Sequence, residues 1–119
     1  MIRCRRAYEE PREDDGVRVL VDRYWPRGVS KEELELDAWR KELAPSDELR
    51  EWFDHDPDRW KAFRERYHRE LEARGEAVEG LLEAHRAAGT LTLVYAARDT
   101  GHNNAVALRD YLRHREESG

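Results

Sequence analysis

The sequence predicts an α/β fold: a single small domain, residues 1–119, with a short, mostly parallel sheet of about three to four strands flanked by helices. Two β-branched runs, "VRVLV" and "TLTLVYAA", have the composition of buried strands. Apolar residues recur at helical intervals between these runs and after the second one. The resulting order of strand, helices, strand and helix is typical of an α/β domain with a helical insert between its two main strands.

The first two predicted strands differ in how apolar and polar residues alternate along them. Residues 1–8 alternate weakly between apolar and polar side chains, which is typical of an edge strand, and "EEPREDDG" then reads as a turn. In the next run Val17, Val19 and Val21 share one face while Leu20 lies on the other, which predicts an inner strand buried on both faces. The pattern leaves the direction of the first strand open.

The insert, residues 31–88, begins with a predicted helix. Ser30 and Glu33 have the spacing of a capping box, and Leu36, Trp39 and Leu43 follow at helical intervals. We therefore expect one helix from Ser30 to about Leu43.

N-cap residues and apolar residues at helical spacing predict four further helices. Ser46 is a good cap for a short helix that ends near Phe53, and Asp56 with Pro57 marks the start of the next helix. Gly89 is suited to end the last helix of the insert. The predicted core stripes are Trp60, Phe63, Tyr67 and Leu71, then Val78, Leu81, Leu82 and His85, and finally Ala105, Leu108 and Leu112.

Composition excludes several function classes. The formal charge of −5 with both signs interleaved gives no basic stripe, so we expect no nucleic-acid partner. No segment approaches the length of a membrane-spanning helix or a signal peptide, so we expect no membrane association and a cytoplasmic location. The single cysteine, Cys4, excludes an internal disulfide and a cysteine-rich zinc site. The sequence indicates no cofactor and no oligomeric state.

Polar segments follow both main strands. "DRYWPRG", residues 22–28, comes after the first, and "ARDTGHNN", residues 97–104, comes after the second. Because open parallel sheets bind ligands at the carboxyl ends of their strands, we expect the two segments to form one pocket for a small anionic and planar ligand. Guanidinium and indole groups offer flat surfaces, and a strand-to-helix turn offers N–H donors. The predicted ligand-binding residues are Arg23, Trp25, Arg27, Arg98, Gly101 and Asn103.

Structural interpretations of the same residues remain open. Asp99 or Thr100 would cap the last helix without binding any ligand. An ion pair between Asp22 and Arg98, or between Arg23 and Asp99, would tie two strand ends together.

Histidines suggest two further activities. His102, with Asp99 in the same turn, is placed for acid–base catalysis of a hydrolysis or transfer, because imidazoles titrate near neutral pH. His55 lies between Asp54 and Asp56, so metal or haem binding through His55 or His102 is an alternative. Asp56 is better explained as a helix cap, and we predict no metal site there.

A non-enzymatic protein-interaction or regulatory module is the main alternative to ligand binding. The charged faces of the insert would meet another protein, and an exposed apolar patch of Trp39, Trp52 or Trp60 would favour this hypothesis.

Three stretches together identify a resemblance: "DGVRVLVDRYWPRGVSKEE", "LDAWRKELAPSDELREWFDHDPDRWKAFRERYHREL" and "LVYAARDTGHNNAVALRDYL". They resemble the YeaO-like branch of domain-of-unknown-function family 488 over nearly the whole chain. The resemblance implies a small cytosolic bacterial α/β protein and brings no activity, substrate or cofactor. Other branches of the family carry a Cys-containing segment near "GHNN"; this chain has no cysteine there, so the resemblance implies no thiol chemistry.

Overall fold

The computed structural model describes residues 1–118, which form one four-stranded sheet and five α-helices. The strands are β1 (Ile2–Arg6), β2 (Val17–Leu20), β3 (Ala38–Trp39) and β4 (Leu91–Tyr95). The helices are α1 (Lys31–Leu34), α2 (Asp47–Phe53), α3 (Trp60–Glu72), α4 (Gly75–Ala88) and α5 (Asn104–Ser118). The α/β class predicted from the sequence is confirmed.

The sheet is parallel throughout and has the strand order β1-β4-β2-β3. Leu91 of β4 pairs with Ile2 of β1 on one side and with Val17 of β2 on the other. The two main strands are therefore neighbours, as predicted, and β1 is an edge strand. The open question about β1 is also answered: it runs parallel to β4 and does not form a hairpin with β2.

Hydrophobic side chains divide between the two faces of the sheet. Val19, Leu91 and Leu93 belong to the main core, together with the buried stripes of α3, α4 and α5. Leu20 and Val94 point to a smaller cluster on the other face. Burial of β2 on both faces therefore matches the predicted inner strand.

The predicted helix from Ser30 to Leu43 is wrong. Ser30 does cap a helix, but α1 ends after Leu34, and Glu35 adopts a left-handed conformation with φ 47°. Ala38 and Trp39 then form β3 beside β2. The apolar residues of this segment have helical spacing but pack into different clusters. Leu36 and Trp39 pack into the smaller cluster, whereas Leu43 packs into the main core. One straight helix would not reach both faces of the sheet.

The other helix boundaries agree with their sequence signals. Ser46 accepts a hydrogen bond from the Leu49 N–H, and Asp56 accepts one from the Asp58 N–H. Gly89 ends α4 with φ 85°, which glycine adopts without strain. No helix within residues 1–118 has the length and apolar character needed to cross a bilayer.

Candidate functional site

A cavity of about 830 Å³ lies where the carboxyl ends of β2 and β4 meet. Segment 22–27 after β2 and segment 96–104 after β4 provide much of its lining, and α2 and α3 add an aromatic wall that includes Phe53 and Phe63. Residues more than 70 positions apart are thus brought together by the parallel pairing of two strands. The structure places seven of the eight predicted site residues on the cavity lining: Arg23, Trp25, Arg27, Arg98, Asp99, His102 and Asn103.

The turn after β4 is closed by its own side chains. One Asp99 oxygen accepts hydrogen bonds from the Gly101 and His102 N–H groups, both at 2.9 Å. These hydrogen bonds hold the pKa of the Asp99 carboxyl below its usual value, and the bond from the Gly101 N–H has the largest effect. Burial of the carboxyl acts in the opposite direction. We expected free N–H donors in this turn, and that expectation is wrong for Gly101 and His102. Gly101 is also the one predicted site residue outside the cavity lining.

Asn103 caps helix α5. Its side-chain oxygen accepts a hydrogen bond from the Val106 N–H at 3.0 Å, and its amide donates to the Asp99 carbonyl at 2.9 Å. The side chain is buried, with 2% of its surface exposed. Asn103 is therefore the cap of α5, and the suggested capping by Asp99 or Thr100 is wrong, because the Asp99 side chain bonds N–H groups that precede the helix.

Asp22 ties the two strand ends together. Its carboxylate accepts a hydrogen bond from the Ala96 N–H at 2.9 Å and another from the Asn104 amide at 3.0 Å. Burial raises the pKa of the Asp22 carboxyl, and these two hydrogen bonds offset part of that effect. The suggested ion pair between Asp22 and Arg98 is wrong, because backbone and amide donors take the place of Arg98.

Replacing Asp22 with alanine is expected to lower the free energy of unfolding by about 2 kcal/mol. The substitution leaves the Ala96 N–H without its acceptor at a half-buried position and removes one of the two acceptors of the Asn104 amide. Urea unfolding followed by tryptophan fluorescence measures the change, with the exposed Glu65→Ala as control. Equal stability of the two variants would contradict the assigned role of Asp22.

Arg27 and Arg98 are the two cavity arginines that form no hydrogen bond or ion pair with any of residues 1–118. Both side chains are exposed. Arg23, in contrast, donates to the Pro45 carbonyl at 3.2 Å and lies 3.5 Å from Asp47, so the suggested pair of Arg23 with Asp99 is wrong. The Nε of Arg23 is nevertheless buried without a hydrogen-bond partner among the described residues.

Trp25 lines the cavity but is held by its neighbours. Its indole N–H donates to the Val29 carbonyl at 2.7 Å, and its ring packs edge-on against Trp39 with 5.4 Å between the ring centroids. The half-buried indole is therefore a wall of the cavity.

His102 forms a pair with Asp99. Its Nδ1 lies 3.0 Å from the second Asp99 oxygen, and its ring packs edge-on against Trp60 at 5.3 Å. This arrangement leaves Nε2 as the ring nitrogen without a partner among residues 1–118. The geometry orients the imidazole as a proton donor or acceptor needs to be oriented.

His55 lies on the same aromatic wall, with its ring centroid 6.5 Å from that of Phe53. It is exposed and has a positive φ of 54°. Asp56 caps a short helix at Pro57–Arg59, in agreement with its structural interpretation. In the part of the chain that the structure describes, no three His, Cys, Asp or Glu residues are grouped so as to hold a metal ion.

The apolar patch that would have favoured the interaction-module hypothesis is not exposed. Trp39 packs against the smaller cluster, and Trp52 and Trp60 pack against the main core, each partly buried. The large apolar side chains that are exposed among the described residues are Met1, Tyr8 and Tyr24.

Sequence reasoning missed several residues of the lining, in particular Tyr8, Arg50 and Asn104. Tyr8 follows an edge strand, and its position beside the cavity depends on the parallel pairing of β1 with β4. Arg50 lies on α2, where no sequence signal distinguishes it from other surface arginines. Asn104 was not among the predicted ligand-binding residues, and it donates to Asp22 and to the Val21 carbonyl.

Comparison with known proteins agrees with the resemblance noted above. The model of the family described as "Inactive DUF488-N3 subclade" matches residues 1–118. The chain is 42% identical over 112 residues to uncharacterized protein YeaO of Escherichia coli, which covers 94% of this chain and 96% of that protein. It is 40% identical over 114 residues to uncharacterized protein Rv3073c of Mycobacterium tuberculosis, which covers 96% of this chain and 95% of that protein. No solved structure gave a significant match. The chain thus belongs to the inactive DUF488-N3 subclade.

Proposed function

We propose that this protein binds a small anionic ligand in the cavity at the carboxyl ends of β2 and β4 and does not convert it. The observation that carries the proposal is the pair of arginines without protein partners, Arg27 and Arg98, one after each of the two strands. An arginine with a structural role pairs with a carboxylate or carbonyl, as Arg23 does here. Guanidinium groups left free around a cavity are the donors that carboxylate and phosphate groups bind.

Local charge supports an anionic ligand. The chain as a whole carries a formal charge of −5. The cavity lining, in contrast, contains four arginines and two aspartates, a formal excess of two positive charges. Both aspartates already accept hydrogen bonds from the protein, Asp22 from Ala96 and Asn104 and Asp99 from its own turn. A concave surface of one sign concentrates ions of the opposite sign.

The chemistry of the lining favours binding over catalysis. No cysteine, serine or threonine is among the residues that line the cavity, so the nucleophiles most common in acyl and phosphoryl transfer are missing there. The N–H groups of Gly101 and His102, which would stabilise an oxyanion, already donate to Asp99. The description of the family as inactive agrees with this interpretation.

Acid–base catalysis by His102 with Asp99 is the second candidate function. The observation that favours it is the 3.0 Å contact between His102 Nδ1 and Asp99, which orients the ring and leaves Nε2 free beside the cavity. In this version a bound anionic substrate would exchange a proton with Nε2.

A thermal-shift panel followed by calorimetry tests the proposal. The purified protein is mixed with phosphate, sulfate, citrate, benzoate and phenyl phosphate, and with glycerol and phenol as neutral controls. At least one anion is expected to raise the melting temperature and to saturate in calorimetry, whereas the neutral molecules give no shift, because a ligand of the folded state stabilises it. Absence of saturable binding by every anion, in low salt, would contradict the proposal.

The same samples separate the two candidates. Binding alone predicts that phenyl phosphate is recovered unchanged after prolonged incubation, and that His102→Gln binds the anion as wild type does. Release of phenol by wild type and its loss in His102→Gln would favour catalysis instead.

A further inference from the structure

Tyr8 and Tyr24 are two of the three large apolar side chains that are exposed among the described residues, at 49% and 58%. Both line the cavity. Single exposed apolar side chains are common on protein surfaces, but apolar side chains gathered at one concave site are typical of ligand contacts.

The order of the strands places the segments that carry the two tyrosines on either side of the segment that carries Arg98. Tyr8 follows β1 and Tyr24 follows β2, and β4, which leads to Arg98, lies between these two strands. Neighbouring strands are about 4.8 Å apart, so the ends of β1 and β2 are separated by roughly 10 Å. Both tyrosines therefore belong to segments that leave the sheet at the cavity edge, one on each side of β4.

Each tyrosine ring has an arginine over one face. The guanidinium of Arg6 lies 4.9 Å from the centre of the Tyr8 ring, and that of Arg50 lies 5.3 Å from the centre of the Tyr24 ring. Arg6 is itself fixed, since it donates to the carbonyls of Ala97 and Ala96 at the end of β4. A cation on one face of an aromatic ring leaves the other face free for stacking.

From this arrangement we infer that the ligand is an aromatic anion, with a ring that stacks on Tyr8 and Tyr24 and a phosphate or carboxylate that binds Arg27 and Arg98. The inference rests on the proposed function and adds the chemical class of the ligand. In this arrangement the ligand ring stacks on the tyrosines and not on Trp25, because the Trp25 indole donates to the Val29 carbonyl and packs against Trp39. A nucleoside monophosphate and a simple aryl phosphate or carboxylate share this chemistry.

Calorimetry with matched probes tests the inference. Inorganic phosphate supplies the anion alone, phenyl phosphate and adenosine 5′-monophosphate supply an anion with a ring, benzoate supplies a ring with a carboxylate, and adenosine supplies a ring alone. We expect the better of the two aromatic phosphates to bind at least tenfold more tightly than inorganic phosphate, because stacking on aromatic side chains adds affinity. A preference for adenosine 5′-monophosphate over phenyl phosphate would indicate the nucleotide source, and the reverse order would indicate an aryl source.

The double variant Tyr8→Leu with Tyr24→Leu keeps apolar side chains at both positions and removes the rings. It is expected to lower the affinity for the better aromatic phosphate to that for inorganic phosphate, while its affinity for inorganic phosphate stays within twofold of wild type. The variant's melting temperature without ligand checks that the fold is intact.

Two results would overturn the inference alone: equal affinity of wild type for phenyl phosphate, adenosine 5′-monophosphate and inorganic phosphate, or undiminished binding of the aromatic phosphates by the double variant. If adenosine bound as tightly as adenosine 5′-monophosphate, the claim that the ligand's anionic group binds Arg27 and Arg98 would be overturned. If none of the probes, inorganic phosphate included, binds in low salt, the proposed function itself fails together with the inference.

Discussion

Replacing Arg98 and Arg27 together with glutamine is expected to weaken binding of the tightest anion by about 100-fold, because each lost charge-assisted contact costs about 1.5 kcal/mol. The melting temperature without ligand should stay within about 2 °C of wild type, since neither arginine bonds to the described part of the protein. Calorimetry in low salt measures the affinity, and differential scanning fluorimetry measures the melting temperature.

Arg69→Gln is the surface control for the double variant and removes one positive charge outside the cavity. Arg69 is an exposed arginine of α3 outside the cavity lining, so its replacement changes net charge and leaves the site intact. A loss of affinity in Arg69→Gln as large as that in the double variant would mean that overall charge, and not the cavity, attracts the anion. Salt dependence gives a second check, because a site built on two arginines weakens as ionic strength rises.

Replacing Asp15 with alanine is expected to lower the free energy of unfolding by about 3–5 kcal/mol. Asp15 is fully buried and accepts hydrogen bonds from Arg18 at 2.7 Å and from Arg5 at 2.8 Å. Arg18 is itself 4% exposed, so without Asp15 its charge would stay buried and uncompensated. Urea unfolding measures the change, and the neighbouring Asp14→Ala, whose side chain is 66% exposed, is the control. A difference below about 1 kcal/mol between the two variants would contradict this role.

The same carboxylate predicts a pH dependence. Burial alone would raise the pKa of Asp15, but hydrogen bonds from the Arg12 N–H and from the Arg18 and Arg5 guanidiniums outweigh it and hold the pKa below its usual value. A carboxylate with a lowered folded pKa contributes its full stability above the unfolded pKa, near 4, and loses it as the pH falls through the folded pKa. The unfolding free energy of wild type should therefore fall more steeply below about pH 4 than that of Asp15→Ala.

Asp15 also separates stability from binding. The residue lies just before β2, at the end of the strand opposite the cavity. A stability loss in Asp15→Ala with unchanged anion affinity at 10 °C, where the variant remains folded, is the expected outcome.

Most of the helices and the two main strands were predictable because several independent signals agree there. The stripe of α3 repeats at helical spacing, begins after the Asp56–Pro57 cap and packs against one core. The prediction for the segment from Ser30 to Leu43 was wrong because its helical spacing conflicts with its tertiary contacts. The Asp37 side chain accepts a hydrogen bond from the Arg18 N–H, and the Asp37 N–H donates to the Arg18 carbonyl. These bonds join the segment to the edge of the sheet. Tertiary hydrogen bonds of this kind leave no periodic signal in a sequence.

The location of the cavity was predictable, because polar segments after adjacent parallel strands must meet. Its internal hydrogen bonds were not. Asp22 accepts hydrogen bonds from Ala96 and Asn104, and Asp99 accepts them from Gly101 and His102. Which donor each carboxylate meets depends on backbone angles and side-chain rotamers at the strand ends. Tyr8 was missed because it reaches the cavity only through the placement of β1 beside β4.

Titration of the ¹⁵N-labelled protein with phenyl phosphate, followed by two-dimensional NMR, tests most directly whether an anion binds at the ends of β2 and β4. We expect saturable shifts of the amides in segments 22–28 and 96–104 and of the Arg27 and Arg98 Nε–H signals. Spectra that stay unchanged up to millimolar concentrations, or saturable shifts confined to surfaces elsewhere such as the exposed face of α4, would contradict it.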